Sequence, residues 1–434
     1  MMHAVIAFWI LLIMMTGCSF SPSKPFSSKE LLGIPQDFRA YTKDYVFRGD
    51  INASLYETHY FEAWHYEKAP KTLDKVLWPY DVYAKGDIYG NTLQKRDKSY
   101  FEKLLQKANF KAYDTLKAYA ISTVYAHMKN FPSNKPLFRN PDEAGEGFPF
   151  DYNQNSAVHA NEPLYLSHYS KSGEWVYVFT AYASGWLRSR EVAFIEPRHR
   201  ILWEHSLKVH LLSDTSALKG EDGTFLEKGR IGMLLPLISQ KEHYKLLFAK
   251  RGLNGKAIYT AVSLPLEFGS TQPLLFSADT LADMGNIMIG QEYGWGGLFE
   301  DRDCSSMLRD YFSLFGIWLP RNSFQQSKIG LIYDLKGLDR NEKIAMIRNH
   351  AIPFETLFYK AGHIMLYLGM YHGKITIFHD TWGVKTKQFG KEGRYIIGKS
   401  VISTLDLGSN LTDYDEDANL LEKIESFNVL TQER

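Results

Sequence analysis

Hydrophobic and polar positions change their rhythm several times along the chain. An uninterrupted apolar run of 12 residues covers Ala4 to Met15. It is too short to cross a bilayer, which takes about 20 residues, and has the length of the apolar part of an export signal. Residues 30 to 97 are aromatic and mixed, without a clear period. From 98 to 130 apolar residues recur at three- and four-residue steps (Phe101, Leu104, Leu105, Ala108, Ala112, Leu116, Tyr119, Ala120), which predicts a helix ended by Pro132 and Pro136.

Short strands with close turns follow. Leu164–Leu166, Trp175–Phe179, Gly185–Leu187 and Val192–Phe194 form one set. Gly232–Leu235, Tyr244–Phe248 and Ala257–Thr260 form a second, and two tandem small barrels are the reading. From about 272 the pattern is mixed, with helices near 278–289, 305–315 and 340–350 and strands near 363–368 and 374–379. The fold class expected is therefore multidomain. A signal peptide covers 1–17, and a linker with a mainly helical N-terminal module covers 18–148. Barrels follow at 149–210 and 211–271, then an α+β domain at 272–434.

Composition narrows the function classes. Lys plus Arg is 50 against 49 Asp plus Glu, a net charge of +1, which gives no electrostatic reason for a nucleic-acid partner. The chain has two cysteines, Cys18 and Cys304, so a disulfide scaffold is not expected. Met15-Thr16-Gly17-Cys18 closes the apolar run with small residues before a cysteine and is similar to a bacterial lipobox. This implies cleavage before Cys18, lipid on its sulfur, and an envelope protein facing the periplasm. No Lys or Arg precedes the run, which departs from the pattern. A Ser/Pro tether (Ser19 to Pro25) would hold the body off the membrane, and Ser19 after the cysteine favours the outer membrane.

The chemistry collects in the last domain. Met307, Leu308, Tyr311, Phe312 and Phe315 share one helical face, and Gly316 suits its end. Cys304 then lies in the first turn or at the cap, where the helix dipole favours a thiolate. A buried inert cysteine is the plain alternative. The run opened by His363 and the run ended by His379 make a hairpin with a five-residue loop, Gly369 to Gly373. That register sets Tyr367 opposite Ile375, Met365 opposite Ile377 and His363 opposite His379. One imidazole can then orient the other. A core pair or a metal site are the alternatives, and Asp380 is the fallback orienting group. His372, in the loop, is read as structural. In Tyr293-Gly-Trp-Gly-Gly297 the glycines permit backbone approach to a substrate, and the Tyr293 hydroxyl can support an oxyanion.

These residues resemble the NlpC/P60 family of papain-like cell-wall peptidases. The likeness runs from Tyr293-Gly-Trp-Gly-Gly through Asp303-Cys304-Ser305 and Gly316-Ile-Trp-Leu-Pro-Arg-Asn-Ser323 to Ala361-Gly-His363 and His379. Gly145 to Ser156 and Gly185-Trp186 resemble the members with an N-terminal stabilising module and two bacterial SH3-like barrels. The resemblance implies an endopeptidase that cuts the γ-D-glutamyl–diamino acid (diaminopimelate) bond of peptidoglycan stem peptides, without cofactor or metal. It implies Cys304 as nucleophile, His363 as base and acid, and His379 as third member. Tyr293 would lie at the oxyanion site, with Ser305 and Ser323 in the substrate pocket. In such relatives the first barrel closes the groove and selects a free N-terminal L-Ala, which makes them recyclers of cut stem peptides. Where they carry Asp against that amine this chain has neutral Asn322; Glu162 is the expected substitute, with Tyr182 and Trp186 as wall. An amidase or acyltransferase with the same three residues, and a non-catalytic wall-binding lipoprotein, are the competing expectations.

Overall fold

The computed structural model describes residues 34–432 apart from 48, 50 and 215, so Cys18 and the apolar run lie outside the described residues. Among the described residues no helix is long and apolar enough to cross a membrane.

The N-terminal segment carries short helices, Ser54–Tyr60, Leu73–Val76 and Trp78–Tyr83, and a longer one, Lys98–Ala108. The last is capped by Asp97, whose carboxylate accepts from the Tyr100 amide. The helix expected over 98–130 therefore stops 22 residues early. Asn109 takes a left-handed conformation (φ 56°) and ends it. The stretch after it is rich in aromatic and β-branched residues, and the apolar spacing at Leu116, Tyr119 and Ala120 belongs to a strand.

That strand, Ala118–Ser122, and Ala126–Lys129 are part of the first barrel, which begins some 30 residues before the expected boundary at 149. Its seven strands run in the order Gln154–Val158, Ala126–Lys129, Ser184–Arg188, Trp175–Phe179, Pro163–Tyr169, Ala118–Ser122, Val192–Phe194. All of its pairings are antiparallel. The second barrel has a five-stranded sheet, Ala257–Pro265, His243–Arg251, Leu234–Gln240, Lys208–Leu211 and Gly269–Ser270, with a separate hairpin at 217–228.

The C-terminal domain has a six-stranded antiparallel sheet. Its strands in chain order are β1 (Leu331–Asp334), β2 (Thr356–Lys360), β3 (His363–Tyr371), β4 (Lys374–Gln388), β5 (Lys391–Thr404) and β6 (Ser426–Val429). Their order across the sheet is β1-β6-β2-β3-β4-β5. Helix α1 (Cys304–Ser313) lies on one face. Its apolar stripe, Met307, Leu308, Tyr311, Phe312 and the following Phe315, is buried against Ile364, Leu366, Phe378 and Ile402. Five such side chains at about 1.5–3 kcal/mol each fix the helix on the sheet far more firmly than its own propensity could.

Candidate active site

Cys304 is the first residue of α1. Asp303 caps it: the Asp303 carboxylate accepts from the Ser306 amide at 2.8 Å, and Ser306 Oγ accepts from the Asp303 amide at 2.9 Å. The cap is itself locked. Arg321 donates to both Asp303 oxygens, Nη1 to Oδ1 at 3.0 Å and Nη2 to Oδ2 at 2.7 Å. Ser305 Oγ donates to Asp303 and accepts from Arg321 Nη1 at 2.9 Å, so Ser305 is committed to this buried pair. The Ile364 amide, of the residue after His363, faces the sulfur closely enough to favour its thiolate form.

The two imidazoles meet. His363 Nε2 and His379 Nδ1 are 2.8 Å apart, and His379 Nε2 lies 3.0 Å from Ser403 Oγ on β5. The register differs from the one expected. β3 and β4 run on to Tyr371 and Lys374, and the turn is two residues, His372 and Gly373, both at positive φ (47° and 77°). A bulge at Leu368 then brings Tyr367 opposite Ile377 and Leu366 opposite Phe378. The slip is two residues at the site end. An even slip keeps every side chain on its face, so His379 becomes a diagonal neighbour of His363, within reach of its ring.

One proton arrangement satisfies the whole chain. Ser403 Oγ donates to the Thr404 carbonyl at 3.2 Å, leaving its lone pairs for His379 Nε2–H. His379 Nδ1 then accepts from His363 Nε2–H. His363 Nδ1 is left as the basic nitrogen. Asp380 does not orient the base: it is fully buried, and neither carboxylate oxygen bonds to His363 or His379. Burial, with the nearby Asp303, pushes its pKa well above the usual carboxylate range.

Electrostatics set the resting state. Burial, then the Asp303 carboxylate, pushes the Cys304 thiol up to about 12 despite the helix dipole. Burial and the adjacent His379 hold His363 well below its ordinary value. Burial lowers His379 to about 3. A neutral thiol and neutral imidazoles follow, rather than the thiolate that the helix position alone implied. Burial and the nearby Cys304 raise the Tyr293 phenol well above 10, so it stays a donor.

A cleft of about 550 Å³ opens over this end of the sheet. Tyr293, His363 and His379 line it, with Phe150 from the segment before strand Gln154–Val158. The glycines of the 293–297 turn serve packing: a Cβ on Gly297 (φ 87°) would lie 2.4 Å from Ala157 of the first barrel. Asn322 is exposed and caps a short helix, Ser323–Gln326, by accepting from the Gln325 amide at 2.9 Å. Neither Asn322 nor Ser323 is among the cleft-lining residues.

The three barrel residues expected at the groove are elsewhere. Glu162 is buried and spent: Oε1 accepts from Arg309 Nη2 at 3.1 Å, and Oε2 from the Tyr182 hydroxyl at 2.9 Å. Tyr182 lies under the Arg309 guanidinium, 3.6 Å from ring centroid to carbon. Trp186 is fully buried among Phe110, His168 and Tyr177, as barrel framework. Sequence reading paired Glu162 with a substrate amine because its partner, Arg309, sits 147 residues away. It also passed over Ser403, which no local motif marks. Asp303 did carry a signal, since Asp-x-x-Ser ahead of an apolar stripe is a capping pattern, whereas Arg321 reaches it from 18 residues away.

A cysteine at a helix head, facing the strand whose first imidazole a second imidazole orients, fits a thiol-dependent hydrolase. Four family models match the chain in order. They are the NLPC_P60 N-terminal stabilising domain over 4–113, an SH3 domain of SH3b1 type over 136–188, an SH3 domain of SH3b2 type over 210–242, and the NlpC/P60 family over 290–396. The last domain, over 290–396, matches the NlpC/P60 family, which comprises cysteine peptidases and peptidoglycan hydrolases. The chain's fold is similar to that of an NlpC/P60 endopeptidase from Photobacterium damselae subsp. piscicida: 24% identity, 92% of this chain and 98% of that one, TM-score 0.79. An NlpC/P60 family protein from Bacillus cereus ATCC 10987 is 17% identical over 72% of this chain and 100% of its own, with a TM-score of 0.49. No curated protein sequence matches it.

Proposed function

We propose that this protein is a cysteine endopeptidase that hydrolyses the γ-D-Glu–diaminopimelate bond of peptidoglycan stem peptides. The observation that carries this reading is the proton chain Ser403–His379–His363, which leaves one basic imidazole nitrogen beside the strand that faces the Cys304 sulfur. The Cys304 sulfur attacks the γ-carbonyl carbon as His363 takes its proton. The oxyanion is met by the Tyr293 hydroxyl and the backbone at the head of α1. His363 returns the proton to the departing amine, and a thioester remains on Cys304. Water, deprotonated by His363, releases the acid and restores the thiol.

Selection of a free N-terminal L-Ala does not rest on Glu162, whose charge is matched by Arg309. Export and lipidation at Cys18 belong to the same proposal, supported by the Met15–Cys18 pattern: the enzyme works in the envelope, anchored by lipid and facing the periplasm, with Ser19 favouring the outer membrane.

The test is incubation of the purified protein with L-Ala-γ-D-Glu-meso-diaminopimelate. Release of L-Ala-D-Glu and free diaminopimelate, absent in Cys304→Ala, is the expected result. Reaction with ester or other amide substrates while this bond stays intact would replace the reading by an amidase or acyltransferase.

A further inference from the structure

Three cations, from β2, β5 and the 417–425 segment, line the cleft, and the catalytic steps above do not use them. They are Lys360, Arg394 and Lys423. Lys360 ends β2, three residues before His363, and its ammonium is close enough to Cys304, Arg394 and Lys423 to interact with each. Among the described residues none of the three makes an ion pair. Lys360 Nζ donates to the Ala361 carbonyl at 3.4 Å and Arg394 Nη1 to the Gly393 carbonyl at 3.0 Å.

Three of the acids nearby are engaged elsewhere, while Asp417, which also lines the cleft, is exposed and makes no ion pair among the described residues. Glu425 accepts from the Ala361 amide at 3.2 Å and pairs with Lys336 at 3.1 Å. Glu392 and Asp415, beside Arg394, are both paired with Lys385. Burial, with Arg394 and Lys423 against it, lowers Lys360, and burial lowers Arg394, so an anion arriving here would relieve both. Like charges held together near a nucleophile, with Glu392, Asp415 and Glu425 committed to other lysines, are arranged to receive an anion. The cleft also carries an aromatic cluster: Trp382 packs against Phe150 and Tyr293, with ring centroids 6.0 Å apart in each pair.

We propose that Lys360 and Arg394 form a carboxylate-binding subsite that makes the enzyme select stem peptides with free carboxylates over amidated ones. This rests on the peptidase reading above. The shared chemistry is a carboxylate, borne either by the α-carbon of D-Glu or by the distal centre of diaminopimelate.

The experiment compares the wild type, Lys360→Met, Arg394→Met and Lys360→Arg on three tripeptides: L-Ala-γ-D-Glu-meso-diaminopimelate, the same with D-isoglutamine, and the same with the distal diaminopimelate carboxyl amidated. The expected result is a wild-type loss of about tenfold in kcat/KM on one amidated peptide, which identifies the source. Both Met variants then lose about tenfold on the free acid, mainly in KM, and cut that amidated peptide as the wild type does. Lys360→Arg keeps the preference and guards against a folding defect. Equal wild-type rates on all three peptides, or Met variants unchanged or reduced equally on all three, overturn the subsite and leave the peptidase reading standing. A wild type that cuts none of the three overturns the peptidase reading itself.

Discussion

The side chains that decide this site are tied by bonds of definite direction. Ser403, through His379, fixes which nitrogen of His363 carries a proton. Removing one neutral hydrogen bond costs about 0.5–1.5 kcal/mol, so Ser403→Ala should lower kcat roughly two- to tenfold with KM unchanged, and Ser403→Thr should restore it. His379→Ala removes the orienting ring itself and should cost about a hundredfold or more in kcat, measured on the same tripeptide. Cys304, His363 and His379 were legible in the sequence because each sits inside a short run of clear period. Ser403 and Glu162 were not. What each does is set by a partner on a distant segment, and a single sequence does not display such pairs.

Secondary elements place these groups by capping and register. The Asp303 cap holds the head of α1 and is clamped by Arg321 at both oxygens. Arg321→Met leaves a buried carboxylate unpaired beside the thiol. A loss of about 3–5 kcal/mol in unfolding free energy is expected from denaturant titration. The β3–β4 hairpin shows what pattern reading delivers: both strands and the shared face of the histidines follow from alternation. The loop length did not, because Gly369 read as a turn residue although it lies inside the strand next to a bulge. The helix expected to reach 130 failed for a related reason, since apolar spacing over a few residues fits a strand as well as a helix turn.

At the scale of the molecule, the first barrel and the catalytic domain are joined by buried charge. His159 lies 3.2 Å from Asp310, Glu162 pairs with Arg309, and Arg302 bridges Asp310 at 2.8 Å to Asp214. The order of barrels and catalytic domain was visible as a change of hydrophobic rhythm; this junction was not, because its members are dispersed from 159 to 310. Burial also sets the pH dependence. It lowers His168 and His210 to about 4 and His379 to about 3. Unfolded, these rings titrate near 6.5, so between that value and about 4 the unfolded chain binds protons that the folded one does not. Their stabilisation is complete above pH 6.5 and is lost as pH falls, at about 1.4 kcal/mol per pH unit for each ring. Asp301, Asp380 and Glu191, raised chiefly by burial, act in the opposite sense but are outnumbered once His127, His199 and His363 are added. A melting temperature at least about 5 °C lower at pH 5 than at pH 7, measured by calorimetry, is expected.

The central claim is that the Cys304 sulfur takes the γ-glutamyl group. Acid-quenched turnover of the tripeptide, followed by peptide mapping with mass spectrometry, tests it most directly. The account predicts an L-Ala-D-Glu acyl adduct on the peptide containing Cys304, lost after His363→Ala. Steady turnover that persists in Cys304→Ala, with no adduct on that peptide in the wild type, would contradict it.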